Sequence, residues 1–245
     1  MVNNRNESSP QHEHVLDQEI HDGFGAKLRE LILGGQDGLV NVLGIVLGVA
    51  AATASTHIVV ISGLAATVAE SISMGAVAYT STKAAKEYYL SLRNKEIQEM
   101  KTMPKKEKAE IKDIYFHKGF KGKLLNAVVE KITSSRKIWL ETMMAEELRT
   151  FPEEFHAPLK SGIIVGLASI VGSIIPLIPF FFLPVEMAVI LSLIICTLSL
   201  FVVGSIKAKI TVGTWWVAGL ELAAIGMTAA LCSYAVGYLL KVSGY

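Results

Sequence analysis

The chain has 245 residues, of which 51% are hydrophobic and 18% charged, and its formal net charge is +1. Soluble domains contain about 25% charged residues, and here residues 38–69 and 161–185 contain no Asp, Glu, Lys or Arg. Because a bilayer span needs about 20 predominantly apolar residues, this distribution excludes a single soluble globule. The near-zero net charge provides no basic surface for nucleic acid.

Five apolar stretches are long enough to cross a membrane, which predicts an all-α polytopic membrane protein. They cover residues 31–54, 58–82, 161–182, 185–206 and 212–240. Pro176, Pro179 and Pro184 lie between the third and fourth stretches, where proline ends or kinks a helix. The predicted domains are a disordered tail (1–28), two membrane helices (29–82), an insertion (83–160) and three membrane helices (161–241).

The basic residues predict how the spans are oriented. Seventeen of the 23 Lys and Arg residues lie between Lys83 and Lys160, and Lys207 and Lys209 lie in the loop before the fifth span. Basic loops remain on the cytoplasmic side. The N-terminus and residues 83–160 are therefore predicted to be cytoplasmic, and the C-terminus outside or lumenal.

The insertion reads as a set of helices. Residues 82–103 continue the second span as a helix, and Pro104 opens another that stops near Gly119, since proline is favoured at the first helical position. Residues 123–132 and 136–151 supply two shorter helices. The sequence contains no strand pattern and no nucleotide-binding glycine loop.

Four acidic residues lie in or beside the spans, namely Asp37, Glu70, Glu186 and Glu221. A carboxylate inside a bilayer is expensive unless it is paired or faces water, and the spans contain no base to pair with it. The set therefore favours a pathway for cations or protons. Glu186 opens a helix, where an acid is favoured without any functional role, and Glu221 suits a protonated structural role equally well.

Glu70 and Met74 are four residues apart and so lie on one face of the second span. Methionines in spans usually serve packing, but a carboxylate beside a thioether suits Fe²⁺ better than Mg²⁺ or Ca²⁺. Asp37, with Asn41 one turn later, stands among glycines that allow backbones to approach closely. We predict a membrane metal site of Asp37, Glu70 and Met74.

A second group of candidate ligands lies in the insertion. Two Glu-x-x-Glu pairs flank the turn at Pro104, and a Met-Met-Ala-Glu-Glu segment follows downstream. The candidate metal ligands are Glu96, Glu99, Glu107, Glu110, Met143, Met144 and Glu147. Glutamates among lysines often form only a solvated helix face, and that alternative stays open. The candidate ligands include no His or Cys, which argues against a structural zinc site and against a di-iron bundle.

Four segments resemble the vacuolar iron transporter family in order and spacing: GGQDGLVNVLGIVLGVA, ESISMGAVAY, WLETMMAEEL and PLIPFFFLP. The resemblance covers residues 28–241. It implies a homodimer of five-span subunits with the metal path at the subunit interface. It also implies proton-coupled export of Fe²⁺, with Mn²⁺ as a second substrate, from the cytosol to the lumen or exterior, without a cofactor or enzymatic activity.

The resemblance also assigns roles to individual residues. It implies that Asp37 and Met74 are pore ligands, and that the glutamates and methionines of the insertion bind metal. The sequence departs from the family at Ala66, where members with this cytoplasmic domain carry a glutamate eight residues before the methionine. Because Ala66 and Glu70 lie one turn apart on the same face, we hypothesise that Glu70 takes over.

One rival from another class fits part of the pattern. In a membrane-anchored metal sensor or scaffold, the insertion would bind metal and the spans would serve only as an anchor. Acids within the spans speak against it, because an anchor gains nothing from them. A membrane enzyme is a third alternative, but the sequence contains no recognisable nucleophile–base pair. The expected membrane is the plasma membrane of a prokaryote, or otherwise a vacuolar membrane.

Overall fold

The computed structural model describes residues 10–151, 157–211 and 213–240, and in this part of the chain all regular structure is helical. The α-helices are α1 (Pro10–Thr53), α2 (Thr56–Thr102), α3 (Pro104–His117), α4 (Gly122–Thr133), α5 (Arg136–Thr142), α6 (Pro158–Ile174), α7 (Val185–Ile210) and α8 (Trp215–Leu239). A π-helical turn (Met143–Glu147) follows α5, and a 3₁₀ helix (Ile175–Phe181) follows α6. The all-α prediction is confirmed.

Five of these helical segments are long and apolar enough to cross a membrane, as the sequence predicts. They are Lys27–Thr53, Thr56–Thr102, Pro158–Phe181, Val185–Ile210 and Trp215–Leu239. Helix α1 begins at Pro10, so residues 10–28 are helical where the sequence predicts disorder. Extending an existing helix avoids the unfavourable nucleation step. Residues 1–9 of the predicted tail lie outside the described residues.

The chain divides into two compact units. Met1–Tyr79 and Leu159–Tyr245 form one, here called the membrane unit, and Thr80–Pro158 form the other, here called the insertion unit. The bounds of the insertion unit lie within three residues of the predicted 83 and 160. Its cytoplasmic location stays a prediction.

Close backbone contacts join α1 to its neighbours in the membrane unit. A Cβ atom built on Gly38 would lie 2.4 Å from the carbonyl oxygen of Ser169 on α6, and one built on Gly237 of α8 would lie 2.0 Å from that of Gly48. Such distances leave room for hydrogen only, as at small-residue contacts between membrane helices. Gly44 and Gly48 thus pack on α8 of the same chain.

Replacing Gly38 with alanine should therefore destabilise the membrane unit. The added methyl meets the backbone of α6, which yields little, and such overpacking costs about 1–3 kcal/mol. Gly35 is the matched control, because its Cβ would meet only ordinary contact at 3.6 Å. Thermal unfolding in detergent should show a lower midpoint for Gly38→Ala than for Gly35→Ala. Equal midpoints would contradict the packing described here.

The connection from α6 to α7 follows the prolines, as predicted. Helix α6 ends at Ile174, and the chain continues through Pro176 and Pro179 as a 3₁₀ helix. Pro184 then precedes the first residue of α7. The hydroxyl of Ser192 donates to the carbonyl oxygen of Pro176 at 2.9 Å, which gives that carbonyl a partner within the apolar interior.

The insertion unit has its own apolar core. Its buried members are Met100, Ile111, Ile132, Trp139, Leu140, Met143 and Met144. Helices α3 and α4 lie where the sequence predicts them, and the predicted break at Thr133–Ser135 separates α4 from α5. After α5 the helix widens into the π-turn Met143–Glu147, which the sequence does not predict.

Candidate metal sites

In the membrane unit, α1 and α2 bring two carboxyl groups together. The Asp37 carboxyl is within hydrogen-bonding contact of Glu70, and the Asn41 amide Nδ2 donates to Glu70 Oε1 at 3.1 Å. Two carboxyl groups in such contact share a hydrogen bond only when one carries a proton, and they repel each other when both are charged. Either a proton or a cation therefore stabilises the pair.

A cavity of about 500 Å³ adjoins this pair. Its lining includes Asn41 and Glu70, together with Cys232 and Ser233 from α8. Met74 is half-buried one turn further along α2 than Glu70, which places both side chains on the same helix face. The described part of the membrane unit thus offers oxygen donors around one cavity, and sulfur atoms on Cys232 in its lining and on Met74 of α2.

The residue at position 66 faces a different environment. Ala66 packs against an apolar cluster of Val42, Val46 and Phe180, among others. An acid at that position would be inserted into this cluster. The structure brings Glu70, and not residue 66, next to Asp37. That Glu70 replaces the missing glutamate stays a hypothesis.

Two polar residues near Asp37 are not predicted from the sequence. Ser169 and Ser173 of α6 are fully buried, and neither hydroxyl has a hydrogen-bond partner among the described residues. Both would lie within 3 Å of a Cβ on Gly38, the residue after Asp37. Their four-residue spacing on a span is the signal that could have identified them. Glu186 and Glu221, by contrast, are exposed on α7 and α8.

In the insertion unit, three glutamates converge. Glu96 of α2, Glu107 of α3 and Glu147 of the π-turn each place a carboxylate oxygen within 4.8 Å of the other two. Glu96 is 3% exposed and Glu107 is 1% exposed, and each has a buried Oε1 atom without a hydrogen-bond partner in the described residues. Buried carboxylates are rarely left unpaired, so the cluster is suited to a cation.

The charges around this cluster are predominantly negative. Burial, together with Glu110, raises the pKa of Glu107, although a hydrogen bond with Glu96 partly offsets the rise. Desolvation, Glu110 and Glu107 raise the pKa of Glu147. The neighbouring cation is Lys106, with Nζ 3.1 Å from Glu110 and 4.0 Å from Glu107. A divalent cation would relieve the repulsion that remains.

The π-turn determines which acid faces the cluster. The amide of Leu148 donates to the Met143 carbonyl at 3.1 Å, five residues back, which is the π-helical pattern. Glu147 joins the cluster, while Glu146 bonds to Lys118. Such turns are rare and occur frequently at functional sites.

The other predicted ligands have different partners from the three clustered glutamates. Glu99 pairs with Lys95 at 3.7 Å, and Glu110 pairs with Lys106. Met143 and Met144 are buried in the apolar core of the insertion unit. The structure therefore brings together three of the five predicted glutamates, with Glu99 and Glu110 adding negative charge nearby.

These features define an integral, multi-pass membrane protein with carboxylate groups suited to divalent cations. A family model described as "VIT family" matches residues 28–238, and the chain belongs to this family. "Vacuolar iron transporter 1" of Tulipa gesneriana is 30% identical over 93% of this chain and 94% of its own length. "Vacuolar iron transporter 2" of Oryza sativa subsp. japonica is 31% identical, covering 90% and 91%.

A more distant organism supplies a third relative. "Vacuolar iron transporter" of Plasmodium falciparum is 32% identical over 93% of this chain and 88% of its own length. The matches extend over both units, and the names are those of transporters and not of enzymes. The resemblance seen in the sequence is therefore confirmed at the level of the family.

Proposed function

We propose that this protein exports Fe²⁺ from the cytosol, with Mn²⁺ as a second substrate, in exchange for protons. The contact between Asp37 and Glu70 within the membrane unit carries the proposal, because paired acids between spans serve cation or proton movement. Relatives named as vacuolar iron transporters support iron as the cargo.

The insertion unit would collect the metal. Glu96, Glu107 and Glu147 would supply oxygen ligands to a divalent ion from the cytosol before it enters the membrane path. Carboxylate oxygens suit Fe²⁺ and Mn²⁺. On this proposal the N-terminus and the insertion unit lie in the cytosol, and the C-terminus outside or in a lumen.

Exchange with protons follows from the chemistry of carboxylates. A carboxylate binds either a proton or a metal ion, so metal affinity falls as acidity rises. Protons arriving from the far side would compete for Asp37 and Glu70 and release the metal there. Met74 supplies a thioether that favours Fe²⁺ over Mg²⁺ and Ca²⁺.

The working unit on this proposal is a homodimer. Asn41 and Ser73 are exposed in a single chain, and Glu70 is only half-buried. Polar groups facing lipid are unfavourable, so a second copy that covers this surface would stabilise the chain. The metal path would then be bounded by Asp37, Glu70 and Met74 of both copies.

Flux through reconstituted protein tests the function. Proteoliposomes containing the full chain should take up Fe²⁺ when their lumen is more acidic than the bath, and Mn²⁺ should compete. Asp37→Asn should reduce uptake to the level of protein-free liposomes. Retained metal binding without any Fe²⁺ or Mn²⁺ flux would favour the membrane-anchored sensor instead.

A further inference from the structure

A second cavity, of about 940 Å³, lies within the insertion unit, and none of the three clustered glutamates lines it. One wall is a stripe of α2 residues at four-residue intervals, Tyr89, Arg93, Ile97 and Lys101, and the other comes from α5 and the residues after it. Residues four apart lie on one face of a helix. The volume is in the range of small-molecule sites.

Cationic side chains outnumber acidic ones in the lining of this cavity. Arg93, Lys101, Arg136 and Lys137 line it, against a single acid, Glu141. Glu141 pairs with Lys137 at 3.9 Å, both largely exposed, and the other three cations form no ion pair with the residues that the structure describes. Two of the three arginines between residues 80 and 158 are in this lining.

The lining also contains apolar side chains, here called the apolar floor of the cavity. Ile97, Leu140, Met144 and Phe151 contribute it, so an occupant meets both charge and hydrocarbon. The guanidinium group is a planar fork that binds phosphate through two parallel hydrogen bonds. A ligand with phosphate groups and an apolar or aromatic part is complementary to both surfaces.

We propose that this cavity, between the Arg93 face of α2 and the Arg136 end of α5, binds a phosphate-bearing ligand. The shared chemistry is the phosphate group, carried either by a soluble molecule such as a nucleotide or by a lipid headgroup. This site requires no metal and no transport, and it therefore stands apart from the proposed function.

Binding to the full-length protein in EDTA tests the proposal without interference from divalent metal. We expect saturable binding of ATP in detergent, with weaker binding of inorganic pyrophosphate, which lacks the part that contacts the floor. The double variant Arg93→Gln/Arg136→Gln should weaken binding at least about tenfold, since charge-assisted hydrogen bonds are the strong ones. The matched control Lys131→Gln/Arg149→Gln removes the same charge outside the cavity and should bind normally.

A charge-conserving variant and a lipid-binding measurement complete the experiment. Arg93→Lys/Arg136→Lys keeps the charge but loses the fork, and should bind with intermediate affinity; thermal unfolding without ligand checks that each variant is folded. Binding only to nanodiscs containing phosphoinositide would identify the source as a lipid headgroup. The proposal is overturned if none of the three probes binds, or if both Gln double variants lose affinity equally.

Discussion

Glu70→Gln is expected to reduce Fe²⁺ flux in proteoliposomes by about 10–100-fold and to remove its dependence on the pH gradient. The substitution keeps the size of the side chain but removes the carboxyl group that contacts Asp37 and accepts a hydrogen bond from Asn41. Interactions with a charged group contribute roughly 1.5–3 kcal/mol, and each 1.4 kcal/mol is a tenfold change in affinity. Initial uptake rates at several imposed gradients measure both effects.

Two further variants distinguish a specific role of Glu70 from a general loss of structure. Glu186→Gln removes an exposed acid from the first turn of α7 and should leave flux unchanged. Asn41→Ala removes only the donor to Glu70 and should have an intermediate effect. If Glu70→Gln transported normally while Asp37→Asn did not, Glu70 would have no part in the pathway.

Glu107→Gln should lower metal affinity at the insertion unit by about tenfold or more, because it removes one of three carboxylate ligands, and each 1.4 kcal/mol is a factor of ten. Without metal the variant should be at least as stable as the parent protein. The new amide can donate to Glu96, whose buried Oε1 has no partner among the described residues. Mn²⁺ titration calorimetry and thermal unfolding of the full chain test the two halves of this prediction.

The pH dependence of that comparison has a definite sign. The pKa values of Glu107 and Glu147 are raised in the folded protein above the ordinary 4.5, so the folded state holds more protons than the unfolded state. Their contribution to stability is therefore complete below pH 4.5 and is lost as the pH rises through the raised values. Mn²⁺ needs the deprotonated groups, so its stabilising effect should grow over the same range.

The control for this site is Glu130→Gln at an exposed position of α4, which should change neither metal affinity nor its pH dependence. The unfolding midpoint of Glu107→Gln, relative to the parent without metal, should rise between pH 5 and pH 8. A constant difference in midpoint would mean that the cluster carries no excess charge in the folded state.

The spans and the proline connection between α6 and α7 could be predicted from the sequence because their signals are local. Residues 38–69 lack charge, and proline marks the α6–α7 connection. The turn at Pro104 likewise predicts that Glu96 and Glu107 approach each other, as they do. Periodicity and composition are sufficient for such features because each depends on neighbours in the chain.

Features that depend on tertiary packing were not visible in the sequence. The sequence predicts Met143 and Met144 as soft metal ligands, and the structure places both in the apolar core of the insertion unit. The contacts of Ser169 and Ser173 with Gly38 involve helices more than 100 residues apart. The helical extension over residues 10–28 likewise lacks an apolar pattern.

The π-turn makes the length of one short segment matter more than its composition. A π-turn holds one residue more than the α-turn it replaces, so deleting Ala145 would let the same Leu148-to-Met143 bond close an ordinary α-turn. The residues after Leu148 would keep their register, and the change would be confined to which of Glu146 and Glu147 faces the carboxylate trio. A one-residue gap at this segment in an aligned relative would therefore mark a protein that presents its acids to this trio differently.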